Sequence, residues 1–188
     1  MIATEIYNIL RAGGLSRAGA LGMLGNMMAE SSLKANIAQR GMTTMNDVQY
    51  TEAANEGRIN FAHDGVGYGL CQWTFYSRKQ ALLDYARTYG VSVGDGQMQC
   101  NFCLMELRED YGKLFKFLCE AIDVEECADR ICTDYERPAV NNFLTRRNFA
   151  KAFEKEIPEK SPVAESGKKK KALQLLDELR AVIEGMEE

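Results

Sequence analysis

Glycine recurs at every third position of one apolar stretch, as Gly19, Gly22 and Gly25 in Ala-Gly-Ala-Leu-Gly-Met-Leu-Gly-Asn-Met-Met. Ser16 is a suitable N-cap, and Ala20, Leu21, Leu24, Met27 and Met28 form a stripe at helical spacing. The pattern predicts a helix over residues 17–31. Each glycine disfavours such a helix by about 1 kcal/mol relative to alanine. Close approach of other backbones must offset that loss, so a central, tightly packed helix is expected.

The flanking pattern is also mostly helical. Ile6, Ile9 and Leu10 share one face, predicting a helix over 4–12 that Gly13-Gly14 ends. Residues 35–64 are polar and turn-rich, with one short helix over 45–55. Gly65, Gly67 and Gly69 alternate ahead of Leu70-Cys71-Gln72-Trp73, which predicts a tight hairpin or extended loop. Further helices are expected over 77–89, with Ser77 as cap, and over 96–110, 111–119, 124–135 and 141–153. The expected fold class is therefore mainly α (α+β), a helical domain with one small β hairpin. An apolar content of 46% excludes disorder through most of the chain, and 188 residues suit one domain with a short appendage. Residues 1–157 are assigned to that domain. Pro158, Pro162 and the lysine run 168–171 mark 158–171 as a linker. Leu175, Leu176, Leu179, Val182 and Ile183 predict an amphipathic C-terminal helix over 172–188. It either docks on its own domain or serves self-association or a partner.

Several function classes are disfavoured. A formal charge of −4 argues against general nucleic-acid binding. No run of about 18 uncharged apolar residues predicts a membrane span. The first residues lack a basic stretch and place Glu5 among their apolar positions, so no secretory signal is expected. Synthesis in a reducing compartment follows, and the six cysteines are expected as free thiols. Cys100 and Cys103 form a single CxxC, and His63 is the lone histidine. A four-ligand zinc site lacks its complement, so no metal or cofactor is expected. Cysteines in helices are read as small buried hydrophobes.

Glu30 is the first candidate for chemistry. It falls in the last turn of the predicted 17–31 helix, on the side of Met23, Asn26 and Met27. Apolar neighbours and the negative end of the helix dipole both penalise a charged carboxylate. A carboxylic acid that keeps its proton is what glycosidic bond cleavage needs. The bland alternative is a solvated helix-end residue. In the glycine-rich segment, small residues let a glycan approach the backbone. Gln72 offers a donor and an acceptor to hydroxyl or acetamido groups, and Tyr68 or Trp73 offers a ring to a pyranose face. Trp73 serves equally well as a core residue.

Together these segments resemble the phage tail lysozyme family of peptidoglycan hydrolases. The resemblance rests on Gly-Asn-Met-x-x-Glu-Ser ending at Ser31, on Gly-Tyr-Gly-Leu-Cys-Gln-Trp-Thr at 67–74, and on Tyr-Glu-Arg-Pro at 135–138. It covers residues 1–153 and extends distantly to goose-type lysozymes and lytic transglycosylases. It implies a lysozyme-like domain with Glu30 as the acid, and Gly67, Gly69, Leu70 and Gln72 in the cleft. The substrate implied is the β-1,4 bond between N-acetylmuramic acid and N-acetylglucosamine. The second carboxylate is open. Asp64 is the foremost candidate to assist water, Glu52 and Glu56 are alternatives, and a transglycosylase needs none. Glu136 is read as an ion-pair partner of Arg130 or Arg137. The resemblance also implies a phage or prophage protein, made in the host cytoplasm and acting on the wall as an endolysin or within a virion.

Overall fold

A computed structural model describes residues 1–138 and 140–159. Along them run α1 Ala3–Ala12, α2 Arg17–Ser31, α3 Asp47–Asn55, α4 Tyr76–Thr88, α5 Gly96–Glu109, α6 Gly112–Glu120, α7 Val124–Arg130, a π-helix Ile131–Glu136 and α8 Phe143–Glu156. The helix expected over 172–188, and the linker beyond Glu159, lie outside the described residues. No helix among them is long and apolar enough to cross a membrane.

α2 is the axis of the domain. Ser16 Oγ accepts from the Gly19 N–H at 2.9 Å and fixes its start. Every residue from Ala18 to Met27 is buried, as suits a helix enclosed on all sides. Each glycine of the repeat seats a different neighbour. A Cβ on Gly19 would run into the Leu118 carbonyl of α6. One on Gly22 would lie 2.6 Å from Cys127 Cβ of α7, and one on Gly25 would lie 2.6 Å from the Arg146 carbonyl oxygen of α8. Gly25→Ala is therefore expected to lower stability by about 1–3 kcal/mol, although alanine is the better helix former. The urea midpoint reports it.

The expected β hairpin is not seen. Among the described residues the β-type pairing is limited to isolated antiparallel bridges, Ala38 with Tyr68 and Tyr68 with Trp73. Tyr68 and Trp73 exchange both backbone bonds, at 3.1 and 3.0 Å. Between them Gly69 (φ 78°) and Gln72 (φ 45°) turn the chain, so extended backbone stops after one pair. Several helix boundaries also differ from expectation. α4 starts at Tyr76 without a side-chain cap, rather than at Ser77. The helix expected over 124–135 widens into the π-helix, where the Arg137 N–H donates to the Cys132 carbonyl at 2.9 Å. All six cysteines are free thiols, and five are buried.

Candidate active site

The last turn of α2 opens on a cleft of about 1270 Å³, lined by Glu30, Gln72 and Glu136 among others. Ser31 ties this helix end to the glycine-rich segment, because its Oγ contacts the Met27 carbonyl at 2.9 Å and the Leu70 carbonyl at 3.0 Å. The Leu70 N–H donates to Gln99 Oε1 at 2.9 Å. Gly69 lies against the same amide, where a Cβ would come within 2.6 Å of Oε1. The two sequence motifs thus form one continuous wall. Gln72 stands in that wall. Its Nε2 donates to the Gly69 carbonyl at 3.0 Å, leaving Oε1 as the acceptor for a ligand.

Glu30 is partly shielded, with 19% of its side chain exposed, and it meets a cation. Arg146 of α8 donates from one guanidinium nitrogen to Glu30 Oε1 at 2.5 Å and from the other to Asn26 Oδ1 at 2.8 Å. Asn26 Nδ2 donates in turn to the carbonyls of Gly22 and Ala128, each at 2.9 Å. The asparagine of Gly-Asn-Met therefore fixes the arginine that holds Glu30. Beside the apolar neighbours expected for Glu30, the structure places a guanidinium against its carboxyl group.

Asp64 is held by a buried lysine. It is not among the residues lining the cleft. Its Oδ1 accepts from Lys79 Nζ at 2.5 Å and from the Val66 N–H at 3.0 Å, and its Oδ2 accepts from Tyr50 at 2.6 Å. Lys79 is fully buried and also donates to the Val66 carbonyl at 2.7 Å. Burial pushes the Lys79 ammonium down from its ordinary range, and the Asp64 contact opposes that shift. A buried lysine of this kind needs its partner, so Asp64 contributes to the stability of the fold.

Tyr68 and Trp73 lie in the core. Both are 0% exposed. The Tyr68 hydroxyl is bonded to Thr51 at 2.6 Å, and Trp73 Nε1 donates to Glu106 at 2.8 Å. Sequence reasoning missed the aromatic rim of the cleft. Phe75 and Tyr76, 63% and 52% exposed, line it next to the turn, and His63 stacks on Tyr76 with centroids 5.3 Å apart.

Glu136 differs most from expectation. Arg130 pairs with Asp134 at 3.6 Å, and Arg137 Nε donates to the Asp134 carbonyl at 3.0 Å. Glu136 Oε1 is buried and has no partner among the described residues. Its position is set by Tyr135, whose hydroxyl donates to Glu106 at 2.6 Å. Arg78 binds the same Glu106 carboxylate at 2.8 and 2.9 Å and lies 4.5 Å from the centre of the Tyr135 ring. Burial, and next the Glu30 charge, push the Glu136 carboxyl well above the usual carboxylate range. The described residues contain no cluster of three histidine, cysteine or acidic side chains able to hold a metal ion.

A central helix that ends in a carboxyl group on an open cleft, within a helical shell, resembles the lysozyme-like class of glycan-cleaving domains. The sequence pattern of the phage tail lysozyme family matches residues 1–156, and the chain belongs to that family. It is thereby a lysozyme-like peptidoglycan hydrolase with bacterial peptidoglycan as substrate. Comparison with curated proteins gives no match.

Proposed function

We propose that the protein is an N-acetylmuramidase that cleaves the β-1,4 bond between N-acetylmuramic acid and N-acetylglucosamine, with Glu30 as general acid. The observation that carries this reading is the Glu30 carboxyl, fixed by Arg146 at the end of α2 and facing the cleft. A glycan strand laid in the cleft brings its glycosidic oxygen to Glu30, which protonates it as the C1–O bond breaks. Gln72 Oε1 accepts from a hydroxyl or acetamido N–H. Phe75 and Tyr76 stack on neighbouring pyranose rings. The double variant Phe75→Ala/Tyr76→Ala is expected to raise KM about tenfold and leave kcat within a few-fold, as steady-state rates on soluble glycan strands would show. The protein works on the wall as a released endolysin or as a virion component.

One observation favours a second reading. With Asp64 held by Lys79, Glu30 and Glu136 are the carboxylates among the described lining residues. A lytic transglycosylase needs no separate water-activating base, because the sugar's own 6-hydroxyl displaces the leaving group. Mass spectrometry of released fragments separates the two. Hydrolysis leaves reducing muramic acid ends; 1,6-anhydro ends, lighter by one water, would assign the transglycosylase.

A further inference from the structure

We propose that Arg137 binds a carboxylate of the stem peptide carried by muramic acid, so that the cleft selects glycan that still bears its peptides. This rests on the hydrolase reading above and deepens it by assigning a specificity-determining residue. The substrate supplies the charge, because each stem peptide hangs from the lactyl group of muramic acid and presents free carboxylates near the glycosidic bond. The described lining of the cleft includes the arginines Arg40, Arg78 and Arg137. Arg78 spends its guanidinium on Glu106. Arg137 is exposed and pairs with no carboxylate among the described residues.

Arg137 is also held in place. Its backbone stands in the left-handed region, at φ 50° and ψ 51°, directly after the π-helix. A long side chain disfavours that region, and Pro138 favours extended backbone in the residue before it. Surroundings that impose such a conformation are typical of functional sites. Arg137 Nε donates to the Asp134 carbonyl at 3.0 Å, and the guanidinium lies 5.9 Å from the centre of the Tyr111 ring. Tyr111 meets Tyr135 in a T-shaped contact with centroids 5.1 Å apart, and the Tyr135 hydroxyl is bonded to Glu106. The two terminal nitrogens of Arg137 donate to nothing among the described residues, which leaves the fork for a ligand. A planar fork fits a carboxylate with two parallel bonds.

Glu30 and Glu136 line the same cleft, so it does not draw in anions as a whole. A carboxylate gains there only by reaching an oriented cation. Arg40 is exposed and lines the cleft too, yet no hydrogen bond, ion pair or ring contact among the described residues orients its side chain. It is the comparison for charge without placement. A chain of N-acetylglucosamine alone has no group for Arg137.

Steady-state rates of the full chain on two sets of soluble, uncrosslinked strands test this. Stem amines are acetylated in both sets; stem carboxyls are free in one and converted to amides in the other. The wild type is expected to favour the free-carboxyl strands about fivefold in kcat/KM, through KM, as suits an exposed ion pair of good geometry. Arg137→Gln should bring that ratio below about two. Arg137→Lys, a cation without the fork, should fall between the two. Arg40→Gln should keep more than about half of the wild-type ratio. A wild-type ratio below about two, a ratio above that in Arg137→Gln, or an equal fall in Arg40→Gln would overturn the proposal. Should Arg137→Gln fail to fold, Arg137→Lys decides, because a ratio as high as that of the wild type would reject the fork contact. If no bond is cut, the hydrolase reading fails by itself. The ratio of dissociation constants for the same strands, held to the same limits, then tests Arg137.

Discussion

Glu30→Gln is expected to lower the rate of cell-wall lysis by a factor of about 10²–10⁴, the usual worth of a general acid. That is roughly 3–5 kcal/mol of transition-state stabilisation. The substitution is conservative at this place. The glutamine Oε1 still accepts from Arg146, which keeps its bond to Asn26, so α2 and α8 stay joined. What disappears is the proton that the leaving oxygen needs. Turbidity loss of a wall suspension measures the rate, and the thermal midpoint verifies the fold. A rate within a few-fold of wild type, from a folded variant, would remove Glu30 from its assigned role.

The largest expected effect on stability comes from the buried pair beneath the turn. Lys79→Met should destabilise the domain by about 3–5 kcal/mol, because it leaves the mostly buried Asp64 carboxylate without its cation. Asp64→Asn should cost a comparable amount, since the ammonium of Lys79 has no exposure to water. Replacing both, as Lys79→Met/Asp64→Leu, should recover much of the loss, so that the double-mutant cycle gives a strong coupling. Denaturant unfolding provides all four values. The same series examines the catalytic role first expected of Asp64. Folded Asp64→Asn should retain specific activity within about tenfold of wild type, far above the loss expected for a general base. A loss as large as that of Glu30→Gln would return Asp64 to the mechanism.

Much of the helical frame was legible in the sequence, because helices are local. The glycine repeat of α2 announced close neighbours, and each glycine proved to seat one helix. Glu30 and Gln72, each in a short motif whose spacing carries meaning, both line the cleft. The remainder of the site depends on contacts across the chain. Arg146 lies 116 residues from Glu30, and no local pattern distinguishes it from Arg147, which pairs with Asp129. Tyr68, Trp73, Phe75 and Tyr76 are aromatic neighbours in sequence, and only packing shows that two are core and two are rim. Hydropathy does not separate them. A usable signal existed for Tyr135-Glu136: the motif itself was visible, but nearby arginines suggested ion pairs, whereas Arg130 pairs with the Asp134 carboxylate and Arg137 donates to the Asp134 carbonyl. The hairpin was over-read for a different reason. Alternating glycines permit extended strands and tight turns alike, and here positive φ values chose the turn.

The most direct measurement is the appearance of new reducing ends in purified peptidoglycan incubated with the full chain and with Glu30→Gln. The predicted result is muramic acid reducing ends from the wild type, formed at least a hundredfold more slowly by the variant. New free amino groups without reducing ends, or equal rates from the two proteins, would contradict it.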